Sequence, residues 1–110
     1  IMLSNHGGRQ LDGSRSPFDQ LKTIVDAVGG KIEIIVDGGI RRGTHVLKAL
    51  SLGATACSFG KGFLFALSAG GQKGVETILQ RMKEELRRDM ILLGKKKIED
   101  LGEENIAIRN

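Results

Sequence analysis

Apolar positions along the chain change period several times, and each change marks an element. Ile1–Leu3 reads as the end of a strand, and Ser4–Arg15 as a polar, glycine-rich loop. Phe18, Leu21, Ile24, Val25 and Val28 then recur at helical spacing. Ser16 is placed to cap that helix, Pro17 suits its first position, and Asp19 sits near its positive end. Gly29-Gly30 ends it. The β-branched run Lys31–Val36 predicts a strand that enters a turn at Asp37-Gly38-Gly39. Thr44–Leu52 predicts a helix with Val46, Leu47 and Leu50 on one face, closed by Gly53. Ala54–Phe59, small and apolar, predicts a strand buried on both faces, followed by a turn at Gly60-Lys61-Gly62. Phe63–Ala69 predicts a short helix, and Gly70-Gly71 a break. Apolar residues at 75, 78, 79, 82, 86, 90 and 93 predict one long amphipathic helix, stopped by Gly94. The tail from Lys95 carries Ile98 and Leu101, expected to dock as a short turn.

The order is strand, loop, helix, three times over. Such alternation predicts an α/β fold with a parallel sheet and helices outside it. The chemically interesting residues all follow strand C-terminal ends, where such folds bind ligands. No linker interrupts the chain, so it reads as one unit.

Composition narrows the function. The 40% hydrophobic and 27% charged residues fit a globular chain. No apolar run approaches the roughly 20 residues that span a bilayer, and no signal-peptide pattern opens the chain. A single cysteine, Cys57, cannot form an internal disulfide and is compatible with a reducing compartment. A cytoplasmic location is therefore expected. The net charge of +4 comes largely from Lys95-Lys96-Lys97 and the arginine pairs at 41–42 and 87–88. The lysine run reads as a solvated face. With four Phe and no Trp or Tyr, the basic residues lack stacking aromatics, which argues against nucleic acid as a partner. No metal is expected.

Two loops suggest an anion site. Asp37-Gly38-Gly39-Ile40-Arg41-Arg42-Gly43 is a strand end, a glycine turn and a helix start. Glycines let amides approach an anion, the following helix adds its positive end, and Arg41 offers a bidentate contact. Gly60-Lys61 repeats this one unit later. Ordinary tight turns with surface cations are the competing reading of either loop, but adjacent loops can share one phosphate.

Ser4-Asn5-His6-Gly7-Gly8-Arg9 is a different kind of loop. A histidine can take a proton from a reacting group, and an arginine three residues on can hold a carboxylate. Gly7 and Gly8 bend the chain so that both can face one pocket. Proton and electron removal from a small hydroxy acid suits that pair, with a cofactor as electron acceptor. A loop histidine bonded to backbone, with arginine in solvent, is the alternative. His45, within a helix, reads as surface or structural.

Ser4-Asn5-His6-Gly7-Gly8-Arg9-Gln10 resembles the active-site signature of the FMN-dependent α-hydroxy-acid oxidase and dehydrogenase family, which includes glycolate oxidase, lactate oxidase, flavocytochrome b2 and mandelate dehydrogenase. Asp37–Thr44 with "HVLKALSLGA" resembles that family's phosphate segment. "GKGFLFALSAGGQKGVETILQRMKEELRRDMILLG" resembles its last strand and closing helix. The resemblance implies FMN as cofactor and a 2-hydroxy acid as substrate. His6 would be the general base, and His6 with Arg9 would bind substrate, Arg9 anchoring its carboxylate. Ser4 would contact flavin. Asp37, Gly38, Gly39, Ile40, Arg41, Gly60 and Lys61 would surround the ribityl phosphate. The family usually has arginine where Lys61 stands. Lysine keeps the charge and loses the fork, so weaker phosphate binding is expected.

The same resemblance implies a (β/α)8 barrel, which needs about 250 residues. The chain matches its last three βα units, strands six to eight, so residues 1–110 are expected to be its C-terminal portion. The family's flavin-ring lysine, its histidine-pairing aspartate and its substrate tyrosines are then missing, and the sheet edge before Ile1 is open. The expectation is a chain not competent alone that self-associates through that edge. The alternative is a non-catalytic phosphate-binding or self-associating α/β remnant. The C-terminal Ile108-Arg109-Asn110 does not form a peroxisomal address.

Overall fold

A computed structural model describes residues 1–107, and the C-terminal tripeptide lies outside them. Three strands, β1 (Met2–Ser4), β2 (Ile35–Asp37) and β3 (Ala56–Ser58), alternate with helices α1 (Pro17–Val28), α2 (Gly43–Ser51) and α3 (Lys61–Leu92). All pairings are parallel in the order β1-β2-β3. Leu3, Val36 and Cys57 stand in register across the sheet.

The caps operate where the sequence puts them. Ser16 Oγ accepts from Asp19 N at 3.1 Å, and Gly29 takes the left-handed conformation that closes α1. The strands are shorter than expected. Lys31 N donates to Val28 O, so residues 31–33 finish the helix exit and run exposed to the sheet. At β3, Ala54 N donates to Ala49 O, which uses that residue to close α2.

The core lies on one side of the sheet. Leu21 of α1, Ile34, Val36, Ala49, Leu52 and Ala54 form it, with Leu3, Cys57 and Ile106 packed against it. Because strand side chains alternate faces, Met2, Ser4, Ile35, Asp37, Ala56 and Ser58 point the other way. That second face is bare: Met2 is 59% exposed and Ala56 is exposed. Among the described residues no element covers the opposite face, so the expectation that β3 is buried on both faces fails there.

Gly70 and Gly71 break α3 with non-helical backbone, as expected, although helical turns abut the break on both sides. Of the predicted apolar stripe only Met82 is buried, while Leu79 and Leu93 are exposed. The reason is that α3 meets α2 largely through a close backbone crossing at Gly43, where a Cβ would lie 2.2 Å from Met82 O. The tail folds into two short 3-10 turns, Ile98–Asp100 and Glu103–Asn105. Ile106 docks on the core, while Ile98, expected to dock, is exposed.

Candidate functional site

The strands end in register at Ser4, Asp37 and Ser58. Parallel pairing therefore brings the three following loops to one edge of the sheet. The loops are tied to one another. Ser4 Oγ donates to Asp37 Oδ2 at 2.7 Å, Gly38 N donates to Ser58 O at 3.1 Å, and Lys61 Nζ donates to Gly7 O at 3.3 Å.

The first loop carries strained backbone. His6, Gly7 and Gly8 all have positive φ, at 52°, 69° and 75°, and His6 is the only non-glycine residue of that kind among those described. Left-handed backbone at a residue with a Cβ costs on the order of 1–3 kcal/mol. Three hydrogen bonds sustain it. Asn5 Oδ1 accepts from Gly7 N at 3.1 Å, Asn5 O accepts from Gly8 N at 2.9 Å, and Ser4 Oγ accepts from His6 N at 3.1 Å. The glycines thus bend the chain as expected. His6 and Arg9 are exposed, and neither ring nor guanidinium makes a hydrogen bond or ion pair among the described residues.

The second and third loops offer amides. Gly38 and Gly39 have φ of 98° and 74°. A Cβ built at Gly39 or Gly60 meets nothing within 4 Å, so both backbones border open space. Helix α3 begins at Gly60 with no side-chain cap and no acid in its first turn, and Lys61 is exposed beside it. An uncapped helix start, a glycine turn and a cation fit a phosphate group. Ile40 is 2% exposed, so its side chain is not open to such a ligand.

Helix α2 does not behave as the sequence predicts. Its positive end was expected to face the anion, but carboxylates from α3 occupy it. Gly43 N donates to Glu85 Oε2 at 2.8 Å, and Thr44 Oγ1 donates to Asp89 Oδ2 at 2.6 Å. Arg42 Nη2 bonds Glu85 Oε1 at 3.1 Å. Arg42 and then the Gly43 amide hold the Glu85 carboxyl below its ordinary range. The Thr44 hydroxyl, and after it Arg88, do the same for Asp89. An anion would meet negative charge at this helix end. The Arg41 amide donates to His45 Nδ1 at 3.2 Å, so His45 is structural, as expected, and holds the loop backbone. The Arg41 side chain is exposed and lines an open groove of about 800 Å³ with Arg42, Arg81, Arg88 and Glu85.

The structure therefore joins Ser4, Asp37, the His6–Gly8 turn and Lys61 by hydrogen bonds, ties Gly38 to Ser58, and gives Arg9 and Arg41 no side-chain bond to that group among the described residues. The α3 acids escaped the sequence reading. Their signal was spacing, since residues 82, 85, 86 and 89 share one helix face and two of them are acids on a face that packs. Among the described residues, no group of three or more His, Cys, Asp or Glu side chains is arranged to hold a metal. No helix there is long and apolar enough to cross a membrane.

Comparison with known proteins bears on this edge. A 2-hydroxyacid oxidase 1 from Homo sapiens is 51% identical over 94 residues, 86% of this chain and 25% of its own length. An L-lactate oxidase from Nostoc sp. is 48% identical over 92% of this chain and 28% of its own length. A cytochrome-type L-lactate dehydrogenase from Wickerhamomyces anomalus is 47% identical over 100% of the chain and 20% of its own length. The chain thus spans 28% or less of these relatives. Among solved structures, a mandelate oxidase variant with a monooxide FMN adduct superposes with a TM-score of 0.86 and 48% identity over 90% of the chain and 32% of its own. A flavocytochrome b2 variant with sulfite bound does so with a TM-score of 0.90 and 38% identity over 100% of the chain and 32% of its own. The model of the FMN-dependent dehydrogenase family matches residues 1–108. With so much of its length aligned, this chain belongs to the FMN-dependent dehydrogenase family.

Proposed function

We propose that the chain is the C-terminal portion, strands six to eight, of a (β/α)8 enzyme that oxidises a small 2-hydroxy acid to the 2-oxo acid. The carrying observation is the laced edge: the His6 turn is bonded to Asp37 through Ser4 and to Lys61 through Gly7. One substrate held there would lie near both a base and a phosphate-type pocket. Bound FMN would supply the acceptor for the two electrons removed. His6 takes the substrate proton, and its left-handed backbone presents the ring from a fixed turn. Arg9 anchors the substrate carboxylate. Gly39, Gly60 and Lys61 bind the cofactor phosphate, with Arg41, the Ile40 backbone and Gly38 bordering it. Ser4 contacts the flavin, and Asp37 joins the residues around the phosphate.

The chain by itself is not competent in this reading. Its bare sheet face supports that view, because Met2, Ile35 and Ala56 would there line a barrel interior built from further strands. The open edge at β1 favours the second reading, a phosphate-binding or self-associating remnant, since an unpaired parallel edge recruits another copy. Homo-oligomers are proposed in either case. The cytoplasm is the proposed compartment, in keeping with a lone free cysteine.

Flavin titration of the purified chain, with fluorescence quenching and mass by size exclusion on one sample, tests the reading. Micromolar FMN binding that weakens in Lys61→Ala supports a preformed half-site. No binding at millimolar FMN overturns a preformed half-site and assigns the function to a longer chain. Stable oligomers without flavin binding favour the remnant.

A further inference from the structure

We infer that Asp37 and Ser4 act together as positioning residues for His6, through a hydrogen-bond relay that holds its backbone left-handed. The inference rests on the reading of His6 as the base. The direction of the relay is set by its donors. The Ser4 hydroxyl has one proton, and it goes to Asp37 Oδ2 at 2.7 Å. Its oxygen lone pairs then face the His6 amide, which donates to it at 3.1 Å. A carboxylate at 37 can only accept, so Ser4 has one way to point and always offers His6 an acceptor. Without Asp37 the hydroxyl could rotate its proton toward the His6 amide and lose that bond.

Position explains why the relay is needed. Among the described residues, His6 is the single non-glycine with φ in the left-handed region, at 52°. A strained backbone persists only where its surroundings over-determine it. Asn5 secures Gly7 and Gly8, and the Ser4 hydroxyl takes the His6 amide. The two partners pair in register at the ends of β1 and β2. The sheet therefore fixes the distance across which the relay works, and the phosphate loop, which begins at Asp37, is coupled to the base.

Amide hydrogen exchange on the nitrogen-15-labelled chain tests this. The Ile35 amide, which donates to Ile1 O, reports sheet integrity. Ser4→Ala and Asp37→Ala are expected to speed His6 amide exchange at least tenfold, with Ile35 exchange and the melting temperature unchanged. Ser4→Thr, which keeps the hydroxyl on a strand-favouring side chain, is expected to restore slow exchange. If Ser4→Ala does not fold, Ser4→Cys, a near-isostere with a weak acceptor, takes its place with the same expected acceleration. Unchanged His6 exchange in the alanine variants overturns the relay. So does a parallel rise at Ile35, which would make the pair general scaffolding. Failure of the base assignment is separable: in the barrel completed by the further strands, His6→Gln would then leave substrate-driven flavin bleaching intact, whatever the exchange data give.

Discussion

Glu85 closes the N-terminus of α2 from another helix, accepting the Gly43 amide at 2.8 Å while its second oxygen binds Arg42. A carboxylate at a helix start satisfies an orphan donor and opposes the positive dipole end. A carboxylate thus occupies the start of α2, whereas the start of α3 carries no side-chain cap. The clamp also makes α2–α3 docking depend on pH. Folding lowers the Glu85 and Asp89 carboxyls from ordinary values of 4.5 and 3.8. Their stabilisation is present above those values and is lost as pH falls through the folded ones. Acid titration by circular dichroism is expected to show unfolding beginning below about pH 4.5, and Glu85→Gln to flatten that dependence.

Gly43 permits the helix crossing. An added Cβ would lie 2.2 Å from Met82 O and 2.5 Å from Leu86 N, and neither is a side-chain end that can move aside. Gly43→Ala is expected to destabilise by roughly 1–3 kcal/mol through overpacking. Urea unfolding measures it, and an unchanged midpoint would contradict so tight a crossing.

The backbone at His6 gives a paired prediction. His6→Gly relieves the left-handed strain, whereas His6→Ala keeps it. The glycine variant is expected to be more stable than the alanine variant by about 1 kcal/mol, reversing the usual preference for alanine. Equal midpoints in urea would mean that the turn is relaxed.

Cys57 is packed against the core, and burial pushes its thiol up from 9.0 to about 11. Its thiolate is then about 100-fold scarcer at neutral pH, and thiolate is the reactive form. Labelling by a thiol reagent at neutral pH is expected to be correspondingly slow, and to become fast in urea. Fast labelling of the native chain would mean that β3 is not covered by α1 and α2.

Lys61 donates one bond to Gly7 O and is otherwise exposed. Lys61→Arg supplies a planar fork at the same place, and FMN is expected to bind about fivefold tighter. The flavin titration reads this directly, and weaker binding would show that the lysine contact to Gly7 matters more than the fork.

Local chemistry carried much of the architecture. The helix period around Leu21, the Ser16 cap, the Gly29 stop and the Gly70-Gly71 break each act within a few residues, so the chain by itself determines them. The same holds for the His6–Gly8 bend, where two glycines and an Asx-type turn from Asn5 are consecutive. Tertiary structure decided the rest, because the deciding partners are distant in sequence. Glu85 reaches Gly43 across 42 positions, Lys61 reaches Gly7 across 54, and Asp37 reaches Ser4 across 33. Hydropathy also marks a strand as apolar without saying whether one face or two are covered. Packing alone set Leu3, Val36 and Cys57 against helices and left Met2, Ile35 and Ala56 on the bare side. Glycine turns and cations could be read in both phosphate-type loops from residue type. Which helix start remained available to an anion depended on where the acids of α3 came to rest.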